Sequence, residues 1–136
     1  MRRMRISAVA LLVACLAASV GASAADLYVI ANDAVDLQPS DIRDVYLGEK
    51  QFSGSVRLHP VDNAAAQEAF LAKVMQMSST AYATAWVKKA FRQGLTQPPR
   101  QANDAEVIEF VQRNQGAVGY VKAAPAGVKV LQRLPD

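Results

Sequence analysis

Strand-like and helix-like segments alternate along this chain, and that interleaving constrains its fold more than any single residue does. Leu27 to Ala31 is a continuous apolar run of strand length, as expected of a strand covered on both faces. Leu37 to Gly48 (LQPSDIRDVYLG) reads as a short helix with marked ends. Pro39 suits its first position, Ile42, Val45 and Tyr46 share a face, and Gly48 suits a left-handed stop. Val56 to Val61 alternates, with Val56 and Leu58 pointing one way and Arg57 and His59 the other, and Pro60 favours a sheet edge.

Three more helical stripes follow. Phe70, Leu71, Val74 and Met75 recur between Asn63 and Gln76 behind an Asp/Asn start. Tyr82, Trp86 and Ala90 recur from Ser79 to Phe91, with Gly94 as the stop. Val107, Phe110, Val111 and Asn114 recur from Asn103 to Gln115, with Asn103 as N-cap and Glu106 three residues later. Gly116 to Val121 (GAVGYV) reads as a buried strand and Val128 to Leu131 as a short closing one. Gln51 to Ser55, Thr96 to Ala102 and Ala123 to Gly127 read as loops. The fold class expected is α/β: a single three-layer lobe with a small, mostly parallel sheet flanked by helices.

Arg2, Arg3 and Arg5 precede an apolar run from Ile6 to Val20, and Ala22, Ser23 and Ala24 supply a small-x-small cleavage pattern. Residues 1–24 therefore read as a secretory signal peptide and residues 25–136 as one exported domain, periplasmic in location. The apolar run falls short of the ~20 residues needed to span a bilayer. Leu12, Val13, Ala14 and Cys15 also resemble a lipoprotein box, so lipidation at Cys15 is the alternative exit and the one route to membrane association. Cleavage at Ala24 leaves no cysteine, so stability must come from a packed core. Three of the fifteen basic residues lie in the leader, leaving twelve against twelve acidic ones. The basic pI thus argues for no nucleic-acid partner.

The helix end Val45, Tyr46, Leu47, Gly48, then Trp86, then the strand Gly116, Ala117, Val118, Gly119, Tyr120, taken in that order, resemble the second lobe of the type II periplasmic binding proteins. Within that superfamily the chain looks most like the phosphate-binding subunit of ABC transporters, over roughly Leu27 to Val121. The resemblance implies solute binding in a cleft between two lobes, of which this chain supplies one.

In open α/β folds, ligands collect beyond the carboxyl ends of strands, where helix N-termini attract anions. Two loops qualify as candidate ligand-binding segments: Asn32 and Asp33 after Ile30, and Asp62, Asn63 and Ala64 after Val61. In the phosphate-binding family the second loop carries an Arg and a Ser-Gly-Thr run that hold the oxyanion. Here Asp62, Asn63, Ala64, Ala65 and Ala66 stand instead, so those ligands do not carry over. Asp62 has two readings, an ordinary helix N-cap or part of a loop re-tuned for a cationic or neutral ligand or for a protein.

His59 is the sole histidine and has no second His or Cys at metal-ligand spacing, so it reads as a surface strand residue; neither metal nor cofactor is expected. No Ser lies in a Gly-x-Ser-x-Gly setting, and Asp33 with Asp36 and Asp41 with Asp44 read as turn and helix-start residues. Met75 and Met77 read as core filler, and Trp86 as packing against the sheet or as a partner contact.

The function expected is that of an exported, non-catalytic, solute-binding-like protein with a degenerate anion loop, holding phosphate or another small solute weakly unless a second copy, as in a homodimer, completes the site. The alternative is a periplasmic interaction module that has lost its solute site and docks on an ABC permease or an envelope sensor.

Overall fold

The computed structural model describes residues 26–135. The leader read over residues 1–24, its cleavage site and Cys15 lie outside the described residues. No helix among the described residues is long and apolar enough to cross a membrane.

Strand β1 (Leu27–Ala31) lies inside a four-stranded sheet. Its neighbours are β7 (Ala117–Val121), which pairs with it from Tyr28↔Val121 to Ala31↔Val118, and β8 (Lys129–Leu134), whose register shifts between Val29 and Ile30. Beyond β7 lies β4 (His59–Pro60), the edge strand that Pro60 foretold. Between these in sequence stand β2 (Phe52–Ser53), β3 (Val56–Arg57), β5 (Asp62–Asn63) and β6 (Arg100–Gln101). β2 and β3 form a hairpin, and β5 and β6 a parallel pair. Strand length thus appears inside two segments expected as loops, Gln51 to Ser55 and Thr96 to Ala102, because backbone pairing alone holds these two-residue strands.

Strands β4, β7 and β8 share one direction, and β1 runs against them. The sheet is therefore mixed: three strands share the direction expected, but β1 lies reversed between β7 and β8, so two of the three pairings are antiparallel. Apolar patterning reports that β1 is covered on both faces; it carries no information on direction, which only the pairing decides.

The period-2 alternation divides the sheet's side chains between two cores. Leu27, Val29, Ala31, Val118 and Tyr120 face one layer, with Ile42, Val45, Tyr46, Phe70, Leu71, Met75, Tyr82 and Trp86. Ile30, Ala117 and Val121 face the other, with Val61, Val107 and Val111. The first layer is built by α1 (Ile42–Tyr46), which follows a 3₁₀ turn at Pro39–Asp41, by α2 (Gln67–Phe70), which continues as a π turn at Leu71–Met75, and by α3 (Ser79–Gln93). The second is α4 (Asp104–Arg113). The expected three layers are present.

Helix ends follow local chemistry. Ser78 accepts from the Ala81 N–H at 3.1 Å to cap α3, and Gly94 closes it at φ 65°. Asn103 accepts from the Glu106 N–H at 3.0 Å, while Glu106 reaches back to the Ala102 N–H at 2.9 Å. One expected core position fails: Ala90 is exposed, because α3 buries only the narrow stripe of Tyr82 and Trp86.

Candidate functional site

The residues that carried the sequence resemblance meet in space. Trp86 Nε1 donates to the Tyr46 carbonyl at 3.2 Å. Gly48, at φ 71°, turns beneath the same indole, where an added Cβ would stand 3.0 Å from it. On the opposite face, a Cβ at Gly119 would lie 2.5 Å from Val107, so glycine is what lets α4 approach β7. Tyr120 stacks on Phe70 with centroids 3.9 Å apart, and Tyr46 tilts against Phe70 at 4.7 Å. These motifs are packing devices: the side chains of Tyr46, Trp86 and Tyr120 are all buried.

Asp62 lies at the heart of that packing, 1% exposed. β5 brings it there by pairing with β6, opposite Arg100, with its N–H donating to the Pro99 carbonyl at 2.8 Å. Tyr82 donates to one carboxylate oxygen and Tyr120 to the other, each at 2.8 Å. Burial pushes the carboxyl pKa above its ordinary value, and the two hydroxyls and the Arg100 charge pull it back only partly. Burial, and then the Asp62 charge, push the pKa of both tyrosines upward. Tyr46, which donates to the Val61 carbonyl at 2.8 Å, is raised by the same two causes in the same order.

The N-cap reading of Asp62 is overturned. The cap position of α2 is Ala66, with no side-chain cap, and the Asp62 carboxylate turns back into the core. A buried carboxylate gains more from two hydroxyl donors on neighbouring elements than from an exposed helix end.

Asn63, fully buried, is engaged on both sides of its amide. Its Nδ2 donates to Asp104 at 2.8 Å and to the Tyr120 carbonyl at 3.0 Å, and its Oδ1 accepts from the Ala65 N–H at 3.0 Å. Asp104 in turn accepts from the N–H groups of Lys122 and Ala123. Asn63 therefore ties the loop before α2 to the start of α4 and the end of β7. Ala64 is exposed, its N–H donating to the Gln101 carbonyl at 2.9 Å.

Asn32 and Asp33 do not join this group. The Asn32 N–H donates to Ala117 at the start of β7, whereas Asn63 reaches Tyr120 near its end, so the two loops stand at opposite ends of the sheet. Three residues of strand separate those contacts, about 10 Å. The cause is the reversed β1, whose carboxyl end points away from those of β4 and β7. Asn32 is itself occupied, donating to the Val111 carbonyl at 2.9 Å and accepting from the Ala34 N–H at 3.0 Å, while Asp33 is exposed.

Two features escaped sequence reasoning. A groove of about 380 Å³ runs beside β4, with Lys50, Arg57 and His59 among its polar lining residues and Trp86, Leu95 and Pro98 among its apolar ones. The outward alternation of Arg57 and His59 was legible, but not what they face. On the outer face of α3, Val87 is 70% exposed and Phe91 90% exposed, next to Lys88 and Arg92. The helical stripe read from the sequence, Tyr82, Trp86 and Ala90, includes neither residue, and the structure leaves both uncovered.

Neither a family model nor a curated protein sequence matches the chain. Its structure is similar to that of an ABC-type phosphate transport receptor from Vibrio cholerae, with a TM-score of 0.50 at 18% identity over 81% of this chain and 47% of the receptor. The fold resembles one lobe of such a receptor. The chain spans about half the receptor's length, and at this identity the likeness carries the fold alone.

Proposed function

We propose that this chain is an exported, non-catalytic protein related to solute-binding receptors, whose loop at Asp62, Asn63 and Ala64 no longer holds an oxyanion. The observation that carries this reading is the double engagement of Asp62 by Tyr82 and Tyr120. A loop built to receive an anion keeps donors unspent and aimed outward. This one places a carboxylate at its base and commits the Asn63 amide to Asp104 and Tyr120. A single lobe also offers one wall, whereas a ligand pocket encloses ~70–90% of a small ligand.

Calorimetry of the exported protein with inorganic phosphate tests the reading. No saturable heat is expected, and micromolar binding by a proven monomer would overturn it. N-terminal sequencing of the secreted form tests the export: a chain beginning at Ala25 is expected, and one blocked by lipid at Cys15 would replace a free periplasmic protein with an anchored one.

The exposed pair Val87 and Phe91 favours a second reading, the interaction module, because side chains of this size gain from burial against a partner. Affinity capture from envelope extracts, repeated with Phe91→Glu, separates the two readings. Capture of a permease or sensor component that is lost in the variant favours the module.

A further inference from the structure

We infer that the groove beside β4 binds small organic anions that carry an apolar body. Its volume of about 380 Å³ lies within the ~300–1,000 Å³ of small-ligand sites. Its charge is of one sign: Lys50 and Arg57 line it beside His59, and no Asp or Glu does so among the described residues. Arg57 and His59 flank Leu58, which turns inward and is buried, so the two outward side chains stand side by side. Among the described residues, the only carboxylate paired with these groups is Asp41, 3.9 Å from Lys50, a distant and partly exposed contact.

The Arg57 guanidinium makes no side-chain hydrogen bond or ion pair among the described residues. A planar fork of donors left in this state matches a carboxylate or a phosphate ester. The apolar part of the lining is a fixed wall: Trp86 is anchored to the Tyr46 carbonyl, Gly48 packs under it, and Pro98 and Pro99 stiffen the loop that continues from Leu95. A bare inorganic ion would leave that wall in water, and an uncharged aromatic would leave Arg57 unanswered. A molecule with both parts satisfies both. The groove contains neither Asp62 nor Asn63, so it stands or falls separately from the reading of that loop.

Trp86 is the sole tryptophan and lines the groove, so its emission reports occupancy. The exported protein is titrated with phenyl phosphate, inorganic phosphate and phenol. Phenyl phosphate is expected to change Trp86 emission saturably and to bind at least about ten-fold tighter than either comparator, as one charge-assisted contact and one apolar contact imply. Arg57→Ala should weaken phenyl phosphate by about ten-fold or more, with Arg57→Lys between the two. Circular dichroism checks that each variant folds, and Lys50→Gln serves in place of an Arg57 variant that does not. Equal affinity for phenol, equal affinity for inorganic phosphate, an unchanged Arg57→Ala titration, or no saturable response would each overturn the assignment.

Discussion

The Tyr120 hydroxyl donates to the Asp62 carboxylate at 2.8 Å across 58 residues of sequence, joining β7 to β5 through a charged group that solvent barely reaches. Tyr82 supplies the second donor from α3, so one carboxylate fastens three elements of the first core layer. A group placed this way governs stability before it governs binding.

Removing the acceptor should therefore be costly. Asp62→Ala strands two buried hydroxyls and is expected to lose about 2–5 kcal/mol in urea unfolding. Tyr82→Phe, which removes one donor and leaves Tyr120 in place, should lose about 1–2 kcal/mol. The double variant should lose less than the sum of the two, because the partners share one network. Additive losses would mean that the contact contributes nothing.

The raised Asp62 pKa fixes the sign of a pH effect. A carboxyl that holds its proton more tightly in the folded state contributes stability that is complete below the unfolded value of ~3.9 and is lost as pH rises through the folded one. Asp62→Asn keeps the shape and removes the titration. Urea midpoints from acidic to neutral pH should fall in the wild type relative to this variant as pH rises. Parallel curves would show that Asp62 titrates as it does in the unfolded chain.

Three tyrosines should resist ionisation. Burial, and after it the Asp62 charge, raise Tyr46, Tyr82 and Tyr120 together. Spectrophotometric titration is expected to show their phenolates only when alkaline unfolding begins. Reversible ionisation of all four tyrosines in the folded protein would contradict the network.

Glycine positions test the packing of the motif residues. Gly119→Ala drives a methyl to within 2.5 Å of Val107 and should cost about 1–3 kcal/mol, partly restored by Val107→Ala. Gly48→Ala meets Trp86 at 3.0 Å from a left-handed backbone and should lose a similar amount, about 1–3 kcal/mol, with a shift in Trp86 emission. Gly54, with open space around its Cβ position, is the control for backbone cost alone.

The outer face of α3 predicts the reverse. Phe91→Glu and Val87→Gln remove apolar surface from water without touching either core, so stability should stay within about 0.5 kcal/mol of wild type. A larger loss would mean that this face packs on something within the chain.

Much of the architecture was legible because it rests on local physics. The period-2 alternation of β1 and β7 sorts their side chains between two cores, Ser78 and Asn103 cap their helices, and Gly48 and Gly94 end theirs, whatever the rest of the chain does. Strand direction, and with it the position of the candidate loops, was not legible. Alternating apolar residues look the same in a strand run either way, so the reversal of β1 that separates Asn32 from Asn63 is settled only by pairing. The fate of Asp62 was equally hidden. An acidic residue before a helix reads as a cap, and only the arrival of Tyr82 and Tyr120 from distant segments makes burial the lower-energy outcome. Local sequence set the elements and their faces; the tertiary structure decided which polar groups were spent on holding them together and which, like Arg57 in its groove, were left to meet something else.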